Sequence, residues 1–290
     1  MLLIILLSVA GIIFVAGNSV RIVKFLRMPT PLRWELYPVP KGPRERQRYG
    51  GSYFEDSDWW TRPQCSNHQG EVAFMAQEVV LLKSVREGFR GLWLWSWLLH
   101  WGLYLYVVAT IAGVAGIVAS SETFHALAAC GYGLASPLGL LGSLGLLVMR
   151  GWNPRLQPYT TRTAIFNLLL LAAIFASSSA LAIAGATVPD VLAGNLRPGP
   201  ALYTHLVLVA FFVAYFPFTH MTHAYMKFFT WHGVRWDDSP AFRNHRIAKT
   251  LATNLERKAA WAAPHIAGGD TATWSEVVAD ASGQEAANRA

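Results

Sequence analysis

Five long runs of apolar residues, almost free of charge, constrain this chain more than any other feature. They cover residues 2–17, 91–119, 124–149, 163–186 and 201–224. In hydrocarbon a helix hides its own backbone polar groups, and about 20 apolar residues are enough to cross. Only 14% of the 290 residues are charged, against about 25% in soluble domains. The fold class expected is therefore all-α and integral to a membrane: a bundle of five transmembrane helices. The first run resembles a signal peptide in length. It lacks a basic leader, however, and its positive charges Arg21, Lys24 and Arg27 follow it, which suits a retained anchor.

Orientation is read from the basic residues. Of 24 Lys and Arg, 12 fall between the first and second runs, three between the third and fourth (Arg150, Arg155, Arg162), and eight after the fifth. The other two connections hold only Arg197. Basic residues favour the cytoplasmic side, so the N-terminus is expected outside and the C-terminus in the cytoplasm. The net charge of +7 is then a topology signal and an aid to contact with anionic lipid; it does not call for nucleic acid. Cys65 and Cys130 fall in different compartments by this reading, and no CxxC or CxxCH motif occurs. An iron–sulfur cluster or covalent c-type haem within the chain is thus not expected.

The expected organisation is a first transmembrane helix (1–27), a cytoplasmic loop (28–89), membrane helices two to five (90–225) and a cytoplasmic tail (226–290). The loop is too long for a simple connection and is rich in Pro, Gly, Arg and aromatics. Its end, residues 71–86, reads as a helix along or entering the membrane. In the tail, residues 270–278 read as the start of a short capped helix.

Nine histidines occur, and His100, His125, His205, His220 and His223 lie in or at the ends of apolar runs. Ionisable groups at that depth are costly and mark functional candidates, although a membrane histidine also serves as a hydrogen bond between helices. His205 and His223 are 18 residues apart, five turns of an ideal helix or about 27 Å. They would share one face, with Pro217 between them as a possible kink. His100, on the antiparallel second helix, can meet His223 at similar depth. Imidazoles from two facing helices with iron between them describe a bis-histidine b haem. Around His100 stand Trp93, Trp95, Trp97 and Trp101, read either as an interfacial belt or as packing against a haem edge.

These residues resemble a known family. His205-Leu206-Val207-Leu208, continuing to Phe216-Pro217-Phe218-Thr219-His220-Met221-Thr222-His223, is similar to the last helix of the gamma subunit of respiratory nitrate reductase. Leu98-Leu99-His100-Trp101-Gly102 looks like that family's first haem-ligand segment. The loop sequences Arg33-Trp34-Glu35-Leu36-Tyr37-Pro38-Val39-Pro40 and Gly51-Ser52-Tyr53-Phe54-Glu55 resemble the related cytochrome b subunits paired with heterodisulfide-reductase-like iron–sulfur proteins, which belong to anaerobic electron transfer.

The resemblance implies haem b on His100 and His223, and a second, outer haem on His205. It implies menaquinone or another quinone as redox substrate, in a prokaryotic cytoplasmic membrane. The partner implied is a cytoplasmic iron–sulfur subunit, heterodisulfide-reductase-like or nitrate-reductase-beta-like, docked on the loop and on the tail near Trp274. One departure stands out: the family's second histidine on helix two corresponds here to Thr110. His125 is read as a replacement ligand to His205, or as taking the place of the family's quinone-site lysine. His220 is read as a propionate contact or a bond between helices. The rival readings are a proton or metal-ion transporter and a cofactor-free membrane anchor.

Overall fold

The computed structural model describes residues 2–27, 68–183, 199–229, 246–258 and 272–277. The segments carrying the two loop sequences quoted above lie outside them. The chain divides into two compact units. One comprises Met1–Arg27 with Trp60–Tyr225, the other Met28–Trp59 with Met226–Ala290.

The first unit is helical throughout its described length. In chain order it contains α1 (Leu2–Arg27), α2 (His68–Val80), α3 (Lys83–Gly88), α4 (Arg90–Ala119), α5 (Glu122–Trp152), α6 (Arg162–Ile183) and α7 (Pro200–Tyr215). Five of these, α1 and α4 to α7, are long and apolar enough to cross a membrane, with mean hydropathies from 1.6 to 2.0 over the spans. The helix that the first apolar run begins does not stop at residue 17. It continues to Arg27, because Asn18 donates its own amide to the carbonyl of Phe14 (2.7 Å) and needs no water.

The pair α4–α5 forms the centre, with α6 against α5, and α1 and α6 against α7. Small residues let α4 and α5 approach to backbone contact, as is usual where lipid removes the hydrophobic drive between helices. A Cβ on Gly102 would strike the backbone of Gly139, and one on Gly142 would strike the backbone of Leu99. Beside this seam lies a core of Leu99, Leu146, Leu168, Leu171 and Phe175. The Phe175 ring sits against Gly139, where a Cβ would collide with it. Ser136 of α5 donates to Ser178 of α6 across the interface (2.8 Å).

The tryptophans of α4 have a role that neither sequence reading included. Trp93, Trp97 and Trp101 recur every fourth residue and so share a face. Their indole N–H groups donate to the carbonyls of Leu81 (2.7 Å), Val80 (3.1 Å) and Val80 again (3.1 Å). The Tyr104 hydroxyl donates to Val79 (3.2 Å). This ladder satisfies the carbonyls at the end of α2 that no further helical turn would reach. It also anchors Leu82, whose left-handed backbone (φ 48°) carries a steric penalty of about 1–2 kcal/mol. Trp95 points elsewhere, onto Gly145.

The last apolar run breaks. Its α-helix ends at Tyr215 and continues as two short 3-10 turns, Phe216–Phe218 and His220–Thr222, before α8 (His223–Lys227). Pro217 has no N–H to continue the ladder, and Thr219 is extended (φ −111°, ψ 169°). The five-turn register between His205 and His223 therefore does not survive.

In the second unit α9 (Arg246–Leu255) is followed by an isolated bridge between Lys258 and Thr273. Residues 274–277 then form one helical turn. Thr273 and Glu276 cap it reciprocally: the Thr273 N–H donates to the Glu276 carboxylate (2.7 Å), and the Glu276 N–H to the Thr273 hydroxyl (3.4 Å). The Thr273 backbone N–H, and then its hydroxyl, hold the Glu276 carboxyl below its usual range.

The α4–α5 seam yields a test. Gly142→Ala must displace the α4 backbone and should destabilise the protein by about 1–3 kcal/mol. Gly133→Ala, with nothing within 4 Å, should gain up to about 1 kcal/mol of helix propensity. Thermal unfolding in detergent reads both, and equal melting temperatures for the two variants would contradict the seam.

Candidate functional site

His100 stands on the third turn of α4, one turn after Ser96, whose carbonyl lies 2.6 Å from its Nδ1. His223 opens α8, and its Nδ1 lies 2.9 Å from the carbonyl of His220. In both rings the geometry calls for Nδ1–H to donate to the main chain, which puts the lone pair of the neutral imidazole on Nε2. The two rings meet edge-on, with centres 6.1 Å apart and planes at 66°. Tyr104 flanks His100 edge-on at 6.1 Å.

What places His223 is the break in the last helix. An unbroken helix would give the Pro217 carbonyl to the N–H of Met221. Here that N–H donates to the Thr219 hydroxyl (3.1 Å), which caps the new segment. The Thr222 hydroxyl donates to the Thr219 carbonyl (2.9 Å). The guanidinium of Arg21 on α1 takes up what is left, donating from Nη1 to the carbonyls of Pro217 (2.6 Å) and Thr219 (3.0 Å).

Other residues of α1 grip the same break. Gly17 meets Pro217 so closely that a Cβ there would lie 2.7 Å from the proline ring. Phe14 packs on Phe216 at 5.7 Å, and the Tyr225 hydroxyl donates to Asn18 Oδ1. Arg21 had been counted only as a topology charge. A charge inside an apolar helix, with carbonyls to receive it, was the signal available.

His220 points away from the pair toward α6. Its Nδ1 lies 3.4 Å from the amide of Asn167, a side chain only 3% exposed. Asn167 Oδ1 and Arg150 Nε are buried without a hydrogen-bond partner. The sequence reading counted Arg150 only as a basic residue of a connection and did not single out Asn167.

His205 is 1% exposed, with both ring nitrogens engaged. Ser177 spends its single proton on the carbonyl of Ile174 (2.9 Å), so it must accept from His205 Nδ1–H (2.8 Å). His205 Nε2 then carries the lone pair and accepts from the Tyr106 hydroxyl (2.7 Å). Tyr106 in turn packs edge-on against Tyr132 (5.0 Å) and Phe175 (6.0 Å). Thr110, at the departure from the family pattern, accepts from the Tyr132 hydroxyl (3.1 Å) and donates to the Tyr106 carbonyl (2.8 Å). The outer position expected to carry a second haem is thus packed with hydrogen-bonded side chains, Tyr106 foremost. His125 lies near the start of α5 with its ring against Gly116 of α4, and its Nδ1 is buried without a partner.

Among the described residues no group of three or more His, Cys, Asp or Glu converges as a site for a bare metal ion. The pair His100–His223 is what the fold brings together. Compared with protein-family models, with curated proteins and with solved structures, the chain matches none. Any family assignment rests on the residues quoted from the sequence.

Arg21→Gln leaves the Pro217 carbonyl without a donor, at about 1–3 kcal/mol, and the Thr219 carbonyl with the Thr222 hydroxyl alone, and should loosen His223. With Cys65 and Cys130 replaced by serine, cysteines at positions 100 and 223 can be joined by a short bifunctional thiol reagent. Cross-linking should fall several-fold when Arg21→Gln is added and recover in part with Arg21→Lys. Equal cross-linking in all three backgrounds would show that Arg21 does not position this segment.

Proposed function

We propose that this chain is the haem b subunit of a membrane respiratory complex, linking the quinone pool to a cytoplasmic iron–sulfur subunit of the heterodisulfide-reductase-like or nitrate-reductase-beta-like kind. It would lie in a prokaryotic cytoplasmic membrane, N-terminus outside and C-terminus within, and act as the quinone-reactive part of an oxidoreductase. The observation that carries this reading is the adjacent pair His100 and His223, with ring centres 6.1 Å apart. Two imidazoles that shared one metal, each about 2 Å from it through a nitrogen, would have centres roughly 6 Å apart, so the pair is suited to hold one haem iron.

The donor set fits as well. A bare metal ion generally takes four or more ligands, whereas a haem iron has its four equatorial positions filled and asks the protein for two. The main-chain carbonyls on Nδ1 fix each tautomer and raise the basicity of the other nitrogen, the usual outer support of a ligating histidine. When bound, the haem supplies a one-electron carrier. This chain's own residues would hold and orient it: His100 and His223 would bind its iron, with the Arg150 guanidinium, the Asn167 amide and His220 suited to its carboxylates.

For the outer half, one observation favours a second role over a second ligand. A haem on His205 would require the Tyr106 hydroxyl to leave Nε2. His125, by contrast, offers a buried Nδ1 with no partner, at the end of the bundle where the proposed topology puts the outer surface. It suits a hydrogen bond to quinone or quinol better than axial ligation.

Two experiments follow. In the purified protein, reduced-minus-oxidised absorption should lose one haem equivalent in His100→Ala and again in His223→Ala. Full haem in either variant would remove that residue from the site. His125→Ala should keep its haem and slow reduction by a menaquinol analogue several-fold; loss of a haem equivalent would instead make His125 a ligand.

A further inference from the structure

The turn between α2 and α4 borders an open cavity of about 340 Å³, lined among the described residues by Gln77, Leu81, Lys83, Arg86, Glu87 and Arg90. Its lining carries three cations and one carboxylate. A volume of this order matches small-molecule sites of about 300 Å³ and more and exceeds what a single small ion requires.

Two of the three cations, Lys83 and Arg86, are held before any ligand arrives. Lys83 Nζ stands 5.3 Å from the centre of the Phe74 ring and donates to Gln77 Oε1 (3.2 Å). The Arg86 guanidinium lies 5.3 Å over the Trp93 ring. Trp93 is fixed in turn by its bond to the Leu81 carbonyl. Long basic side chains stacked on aromatic rings have less rotamer freedom left to lose when they bind an anion.

The level of the cavity in the bundle selects the ligand. Arg90 is the first residue of a 30-residue apolar span, and Trp93 lies one turn inside it. Tryptophan and basic residues at the end of a span mark the headgroup layer, where phosphate is the abundant anion. Leu81, 42% exposed, adds an apolar edge for the glycerol end of a lipid.

We propose that this cavity binds the phosphodiester of an anionic phospholipid headgroup, one carrying no amine. A zwitterionic lipid would bring its own ammonium toward Lys83, Arg86 and Arg90. The site is independent of the haem reading, and nothing in its chemistry requires a cofactor.

The test uses the full chain, delipidated in detergent and examined by native mass spectrometry with phosphatidylglycerol and phosphatidylcholine at equal concentration. Roughly tenfold preferential retention of phosphatidylglycerol is expected from three cations near the surface. The double variant Lys83→Gln/Arg86→Gln should bring the two lipids close to parity. Glu87→Gln, which removes the one carboxylate, should raise the preference several-fold, and it decides the matter if the double variant does not assemble.

No preference in the parent protein, an undiminished preference in the double variant, or no rise in Glu87→Gln would each overturn the site. Inorganic phosphate separates the two sources of this chemistry. Failure of millimolar phosphate to displace the lipid supports a lipid site. Full displacement by phosphate overturns the lipid assignment, and the cavity is then a free-phosphate site.

Discussion

Backbone polar groups with no water to receive them govern this structure, and the interaction on which the rest depends is the one that closes the break in the last helix. Once Pro217 and Thr219 interrupt the ladder, the carbonyls of both residues lack a main-chain donor. A buried carbonyl left without any donor costs about 1–3 kcal/mol. Arg21 answers both from a neighbouring helix at 2.6 and 3.0 Å. This explains why α1, with only 11% of its span buried, belongs to the bundle at all. Its polar residues Asn18 and Arg21 both act on the segment that carries His223. The tryptophan ladder of α4 does the same for α2, by another route: indole donors instead of a guanidinium.

His100 depends on a different constraint, the close approach of α4 and α5. Gly102, Gly139 and Gly142 bring the two backbones together, and one face of α4 is thereby committed to α5. The aromatic face carrying Trp93, Trp97 and Trp101 is committed to the end of α2. His100 belongs to neither commitment, and His223 comes to it from the broken end of the last helix. The adjacent pair is therefore a consequence of two packings and one helix break, with the Nδ1 atoms tied to main-chain carbonyls on both sides.

Much of this was legible in the sequence. Five apolar runs translate directly into five helices, because length and absence of charge are what hydrocarbon selects. The capped turn at Thr273 and Glu276 follows from residue type and spacing alone. The meeting of His100 and His223 was expected from their similar depth on antiparallel helices. The shared face of His205 and His223, a separate expectation, does not survive Pro217 and Thr219. The bonds of Arg21 were not foreseen because charge counting treats a basic residue as a label for a membrane side and ignores what its guanidinium can donate to. Tyr106 was overlooked because an aromatic in an apolar run looks like core, and only the fold brings its hydroxyl to His205. The role of the tryptophans was hidden because their acceptors are main-chain carbonyls, which no side-chain pattern reveals.

The proposed role of His100 and His223 is to hold the iron of one haem between them. Axial ligands are identified most directly by low-temperature magnetic circular dichroism of the oxidised, purified protein, through the near-infrared charge-transfer band and the low-spin ferric signal. The account predicts a bis-imidazole haem with inclined ring planes, at one haem per chain. A protein that carries no haem, or one whose iron is bound by any pair other than two histidines, would contradict it.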